Sequence, residues 1–274
     1  MNTSEIVALA LEMAGMTTLP GDSAVHLDGR GIRRALVGLD LGVPELQWAK
    51  GEGFDLALAH HPMGGDARLG FHEVYRDHIP QMAKAGVPLA DAQNAVLPEA
   101  ERLKDAALTA NIDHIPSFAR LIGLPCLNLH QPLDEIGRNR YQAVFESLGS
   151  GAEVGELMGA VRGAFSEYRH LPASLRVSMG RADAPVGVLA WSHAAGTNPG
   201  RAGADAYFEA GVDTLALIHY RGDLGSLKER WGGEGKNLLV MGHLVADSVG
   251  INPFLTALER KGVGVERCSG VLAP

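Results

Sequence analysis

Cysteine is scarce: the 274 residues hold two, Cys126 and Cys268, far apart and without CxxC or zinc-ribbon spacing. That argues against a disulfide framework, a structural zinc finger and iron–sulfur chemistry, and it leaves two reduced, buried thiols of a cytoplasmic protein as the expectation. No stretch approaches the about 18 uninterrupted apolar residues that a membrane span needs. Positive charge is also short, with 24 Lys and Arg against 32 Asp and Glu, a net charge of −8, and no basic band. Nucleic acid is therefore not an electrostatically favoured partner. The opening residues, MNTSEIVALALEMAGM, carry Glu5 and Glu12 and no basic residue before the apolar positions, so no secretory signal is expected. Several catalytic signatures are missing as well. The sole GK, Gly235-Lys236, is followed by Asn237, which excludes a P-loop, and Gly149-Ser-Gly151 completes no GxGxxG. Trp191-Ser192-His193 lacks a GxSxG elbow. What is present is 46% hydrophobic and 20% charged residues with no long polar tract, the balance of a globular protein.

Along the chain, apolar strands alternate with helical patterns. Thr3–Ala14 is expected as an amphipathic helix and Ala35–Asp40 as a fully apolar strand; a helix opened by Pro44 follows, then a second strand at Asp55–Ala59. Strands apolar on both faces suit a parallel sheet covered by helices. Glu73–Ala85 and Ala92–Leu121 read as helical, Cys126–Leu129 as a strand and Pro132–Leu148 as a helix. Leu148-Gly-Ser-Gly-Ala152 is the best linker and divides the chain into an N-terminal α/β lobe, 1–149, and a C-terminal α/β lobe, 150–274. The second lobe opens with a helix at Glu153–Tyr168. Strands are expected there near Leu175–Met179, Val186–Trp191, Thr214–Ile218, Leu238–Met241 and Val263–Arg267. The fold class is therefore α/β, two lobes with largely parallel or mixed sheets covered by helices.

The chain holds 11 histidines. Of these, His60, His61, His130, His193, His219 and His243 fall at or just past the carboxyl end of an expected strand, where open α/β sheets gather ligand-binding side chains. His26, His72, His78, His114 and His170 fall in helices or loops and are expected to be solvated. In LALAHHPMGG two imidazoles leave a buried strand before Pro62 stops it, and diverging side chains of consecutive residues can each reach a different ion. Taken alone, the pair reads equally as polar strand-end residues capping backbone groups. LNLHQPLDEIG places Asp134 four residues after His130 at a helix start, where an acid also interacts favourably with the helix dipole. VMGHLVADSVG repeats the arrangement with His243 and Asp247, which share a helix face. Together His60, His61, Asp134, His243 and Asp247 form a mixed N/O set suited to zinc, iron, manganese or cobalt. Such a set can hold two divalent ions about 3.5–4 Å apart around a bridging water. His130, His193 and His219 are the expected proton carriers or substrate contacts. The turn Ala195-Gly-Thr-Asn-Pro-Gly200 offers a plain turn or, less simply, an anion cradle. The reading requires the 60–61 pair and the 243–247 pair to share one pocket.

ALVGLDLGVPELQWAKGEGFDLALAHHP, LHQPLD and GHLVAD, in that order, resemble the Nif-three-like family, also labelled type 2 homologues of GTP cyclohydrolase I. The resemblance implies two divalent metals in a cleft between two α/β lobes, held at positions matching His60, His61, Asp134, His243 and Asp247, with His130 matching the His of the second motif. It also implies a toroidal homohexamer, to which apolar positions around Met13–Leu19 could contribute. Asp247 stands where the family usually has Glu, and Leu217-Ile218-His219 replaces a Thr-Gly-acid stretch. The expected function is a dinuclear metal-dependent hydrolase acting on a small nucleotide-like or phosphorylated substrate; the alternative is a metal-binding regulatory or scaffolding oligomer without catalysis.

Overall fold

A computed structural model describes residues 1–194 and 196–274. Helix α1, Thr3–Ala14, starts on a reciprocal cap, with the Glu5 N–H donating to the Asn2 side chain and the Asn2 N–H to the Glu5 carboxylate. It ends at Gly15, whose φ of 70° is the left-handed conformation that glycine adopts without penalty. The chain continues through β1 Ala24–Leu27, β2 Arg34–Gly38, α2 Val43–Gly51, β3 Leu56–Ala59, α3 Gly65–Tyr75, α4 His78–Lys84, α5 Leu89–Thr109, α6 His114–Ile122, β4 Cys126–Asn128 and α7 Gln131–Glu146. The second half comprises α8 Val154–Ala164, β5 Arg176–Met179, β6 Leu189–Ser192, α9 Gly200–Glu209, β7 Thr214–Leu217, α10 Leu224–Trp231, β8 Asn237–Val240, α11 His243–Arg260 and β9 Gly264–Cys268. No helix among the described residues is long and apolar enough to cross a membrane.

The strands form two mixed sheets, ordered β1-β4-β3-β2-β9 and β5-β8-β7-β6. In each, the first strand of the half runs antiparallel beside the last, and the remaining pairs are parallel. Apart from β9, the two halves thus repeat one topology, 1-4-3-2 and 5-8-7-6, with a register irregularity in each antiparallel edge pair. The parallel strands β3, β7 and β8 are buried at every position, as a sheet covered on both faces demands.

Helices α7 and α11 lie between the two halves and belong to the cores of both. Leu133 and Ile136 of α7 and Ile251, Phe254 and Leu255 of α11 pack with the first sheet's core. Tyr141 and Phe145, with Val245, Ala246 and Val249, pack against the second sheet. Two crossings tie the halves further. Residues of α4 and α5 (Met82, Ala92, Val96) pack in a core with Leu215 and Leu217 of the second sheet. Strand β9, within 150–274, pairs with β2 at the edge of the first sheet.

Several local expectations shift. The helical stretch 92–121 breaks after Thr109 and restarts at His114. Strand β1 has no sequence signature because all four of its residues are half-buried and it exists by pairing with β4. Met13, Met16 and Leu19 pack half-buried against the first core. Cys126 is buried and Cys268 half-buried, both as free thiols. His78 is fully buried rather than solvated, between the hydroxyls of Ser192 (3.2 Å) and Thr197 (2.8 Å). His26 and His72 are half-buried, His26 bonded to the Asn128 side chain and His72 to the Leu69 carbonyl.

Candidate metal centre

The eight expected site residues converge at the carboxyl ends of strands from both sheets. The β2–β3 ladder runs on past the strand ends, as the His60 N–H donates to Gly38 O and the His61 N–H to Leu39 O, each at 2.9 Å, so both imidazoles leave a fixed backbone. His130 and His243 stand at the starts of α7 and α11. Asp134 and Asp247 follow each by one helical turn, at 3.5 Å and 3.0 Å from the respective Nε2. The two carboxylates are brought together by glycine. Gly137 and Gly250, three residues after each aspartate, meet at the crossing of α7 and α11, and a Cβ on Gly250 would lie 2.2 Å from the Leu133 carbonyl oxygen. His130-x3-Asp134-x2-Gly137 and His243-x3-Asp247-x2-Gly250 are thus the same device used twice, once per half.

The ring nitrogens are oriented by a surrounding layer of acceptors. His60 Nδ1 bonds the Leu129 carbonyl (3.0 Å), His61 Nδ1 the Asp40 carboxylate (2.9 Å) and His130 Nδ1 the buried Asp22 carboxylate (2.9 Å). A carbonyl or carboxylate oxygen only accepts, so each Nδ1 carries a proton, and Nε2 is the atom that holds the lone pair whenever the ring is neutral. These Nε2 atoms face inward. His60 Nε2 is 3.3 Å from Asp134 Oδ1, and His61 Nε2 is 3.5 Å from Asp247 Oδ2 and 3.1 Å from His243 Nε2. The 60–61 and 243–247 pairs therefore share one pocket. Both oxygens of Asp134, both of Asp247 and Nε2 of His60 are buried without a hydrogen-bond partner. Three overlapping groups, His60/His61/His130, His61/His243/Asp247 and His60/Asp134/Asp247, each place their ligand atoms within 4.8 Å of one another.

Charge reinforces the pattern. Burial alone would raise the Asp247 pKa, but the imidazoles of His243, His61 and His60 hold this carboxyl well below the usual range. Asp134 behaves likewise: burial opposes ionisation, and His130, His60 and His193 prevail. Burial would depress His61, yet Asp247 and Asp40 raise it to about 10. The anionic carboxylates are thus kept ionised by cations, the role an ion would take.

The remaining candidates lie around this cluster. His193 is buried, with Nε2 3.7 Å from Asp134 Oδ1 and an unpartnered Nδ1. Its backbone is gripped by one side chain: Gln81 Nε2 donates to the His193 carbonyl, and the His193 N–H donates to Gln81 Oε1. Neighbouring Ser192 is fully buried, its hydroxyl 3.2 Å from His78 Nδ1. His219 packs edge-on against His243, ring centroids 5.2 Å apart. Ala195 of the turn 195–200 lies outside the described residues. Gly196 in that turn has φ of 59°, and a Cβ there would come within 3.0 Å of His130 Nε2. A cavity of about 880 Å³ opens beside His61, His130, His219 and His243. Sequence reasoning missed Asp22, Asp40, Gln81 and Asn198, all of which act on a histidine remote in sequence or across a sheet. The glycine that completes each His-x3-Asp repeat was the one available signal.

Comparison with solved structures identifies the family. A NIF3 superfamily protein from Sphaerobacter thermophilus matches at 42% identity over 98% of both chains, with a TM-score of 0.91. The chain belongs to the NIF3 superfamily. Reduced HcgD from Methanocaldococcus jannaschii shares the fold at 13% identity over 97% of both chains (TM-score 0.57), and so does protein ybgI, of unknown function, at 14% identity over 98% of both (TM-score 0.53). No family model and no curated protein matches.

Proposed function

We propose that this NIF3 superfamily protein binds two divalent metal ions in the cleft between its halves and uses them to hydrolyse a small nucleotide-like or phosphorylated molecule. One observation carries the reading: three imidazoles whose Nδ1 atoms are held by acceptors turn their Nε2 atoms toward two buried carboxylates, none of whose four oxygens has a hydrogen-bond partner. Unpaired buried polar groups are costly, so a site built from them fits a cation that satisfies them. The donors are nitrogen and oxygen, with no thiolate, which suits zinc, iron or manganese. His60, His61, Asp134, His243 and Asp247 would hold the ions, and the position of His130 Nε2 adds it to the set. Bound there, such ions would make a water acidic and polarise an attacked oxygen.

The chain's own residues supply the rest. Asp22, Asp40 and the Leu129 carbonyl hold the ring orientations, the arrangement by which outer partners tune metal ligands. With the His130 Nε2 among the ligand atoms, His193 and His219 are the rings left to hold or donate a proton. Assembly into a hexamer, as the resemblance implies, belongs to the same proposal and is read by sedimentation equilibrium.

Elemental analysis of protein purified without added metal should find two ions per chain, lost in His61→Ala. A turnover screen with phosphoesters and nucleotides should show hydrolysis abolished by chelator and restored by zinc or manganese. Undiminished metal in His61→Ala would defeat the assignment. Metal that stabilises the protein with no hydrolysis of any compound would leave the regulatory reading in its place.

A further inference from the structure

Asn198 settles which nitrogen of His219 carries a proton. The Asn198 side chain is buried and its orientation is fixed, because Oδ1 accepts the Gly200 N–H at 3.0 Å. Its Nδ2 therefore faces His219 Nδ1, at 2.9 Å. An amide nitrogen only donates, so His219 Nδ1 must offer its lone pair, and the proton of the neutral ring sits on Nε2. The backbone at Asn198 is itself held, as the Tyr75 O–H donates to its carbonyl. With its one lone pair engaged, His219 cannot take a proton as a base without breaking this bond. It can only donate from Nε2, which has no hydrogen-bond partner among the described residues.

Two arginines line the same cavity as this donor. Arg221, two residues on, lines the same cavity as His219, as does Arg68 of α3. Both guanidinium groups are exposed and neither is paired with a carboxylate among the described residues, whereas Arg102 and Arg201 of the same lining are neutralised by Glu99 and Asp205. In a chain of net charge −8, two uncommitted arginines at one cavity are a local reversal of sign. Part of the remaining lining is apolar, including Phe71, Ala95 and Leu103, and the volume of about 880 Å³ suits a small organic molecule.

We propose that His219 Nε2–H and Arg221, with Arg68 also lining the cavity, form an anion subsite beside the candidate metal ligands, and that the molecule bound there is a small organic compound carrying a phosphoryl or carboxylate group. Guanidinium forks match the oxygens of either group, and the fixed imidazole N–H adds a directed donor. This deepens the metal reading by naming what the substrate presents, but the subsite is built from residues outside the ligand groups.

The test titrates inorganic phosphate and acetate into the full-length protein, as purified and after chelation, by calorimetry. Arg221→Ala and His219→Ala should each weaken binding of the preferred anion by about tenfold or more, the loss of a hydrogen bond to a charged group. His219→Gln, which keeps an amide donor near the Nε2 position, should stay within about threefold of wild type. Tighter phosphate than acetate identifies a phosphoryl compound, the reverse a carboxylate. Nitrogen NMR of labelled histidine should show the His219 proton on Nε2, and Asn198→Ala should release that preference. Anion binding unchanged in both alanine variants, or the His219 proton found on Nδ1, overturns the proposal. Metal content measured on the same samples keeps the two readings apart: wild type that binds the anion but holds no metal defeats only the metal centre, and wild type that holds metal but binds neither anion defeats only the subsite.

Discussion

Replacing Gly250 by alanine tests whether the crossing of α7 and α11 builds the site. In an exposed helix interior the change would be favourable by about 1 kcal/mol, because alanine loses less backbone freedom on folding than glycine. At this position the new methyl would stand 2.2 Å from the Leu133 carbonyl oxygen and 3.0 Å from the Gly137 nitrogen. Carbon to oxygen contacts settle at about 3.3–3.6 Å, so the helices must part by about 1 Å. The obstacle is backbone and cannot rotate away, which puts the steric cost at the upper end of the about 1–3 kcal/mol typical of overpacking. The net expectation is a loss of about 2 kcal/mol, read by urea unfolding. Parting the helices also parts Asp134 from Asp247, so metal affinity should fall with stability. Gly159→Ala is the control: it lies on the exposed face of α8 with nothing within 4 Å, and should gain about 0.5–1 kcal/mol with metal content unchanged. A Gly250→Ala protein as stable as wild type, with full metal content, would refute the claim that close helix approach sets the carboxylate pair.

Three further outcomes follow from the same geometry. Asp22→Asn, which weakens the acceptor for His130 Nδ1, should lower metal affinity about 10–100-fold in a chelator competition, the usual effect of losing an outer partner; unchanged affinity would place His130 outside the ligand set. Chelation should lower the melting temperature by about 5 °C or more, since an ion at about 100 times its dissociation constant contributes about 2.7 kcal/mol; equal melting curves for the metal-free and metal-loaded protein would count against binding. Burial depresses the fully buried His78 to a pKa of about 3. Its unfolded-state value is near 6.5, so its contribution is intact above pH 6.5 and is lost as pH falls from there toward 3, while the unfolded chain takes up the proton that the folded ring refuses. Between pH 7 and 5 wild type should lose about 2 kcal/mol more than His78→Gln, and parallel stability curves would show that His78 does not titrate this way.

Legibility in the sequence followed the range of the interactions. Helix α1 and the parallel strands β2, β3, β4, β7 and β8 were readable because their signals are local: an amphipathic period, or a run apolar on both faces. The histidines at strand ends and the repeated His-x3-Asp spacing were readable for the same reason. Everything that depends on a partner distant in sequence was not. Asp22 meets His130 across 108 residues, and β9 leaves the second half to pair with β2. His78 looked solvated because its helix is short and polar at that end, and only its packing against Ser192 and Thr197 buries it. The duplicated 1-4-3-2 strand order was hidden because few of the repeated residues are alike outside the His-x3-Asp-x2-Gly device.

That duplication bears on what the cluster can be for. Each half supplies a histidine and an aspartate from the start of one helix, and the two helices touch through glycines that serve no other visible purpose than closeness. A structural reading of the polar residues would need them to stabilise the fold by themselves. Buried carboxylates with no hydrogen bond to any of their four oxygens do the opposite, since removing such groups from water costs free energy that only the neighbouring imidazoles offset. A cation is the partner that would satisfy carboxylates and imidazole lone pairs together. The same logic separates the roles of the histidines. Rings whose Nδ1 is bound to an acceptor turn Nε2 inward and, once neutral, offer an ion a lone pair, while His219, whose Nδ1 faces a donor, keeps its proton on Nε2, where the proposed anion would meet it. One chain thus presents opposite chemistry from the same residue type a few ångströms apart, and the sorting is done by the side chain behind each ring.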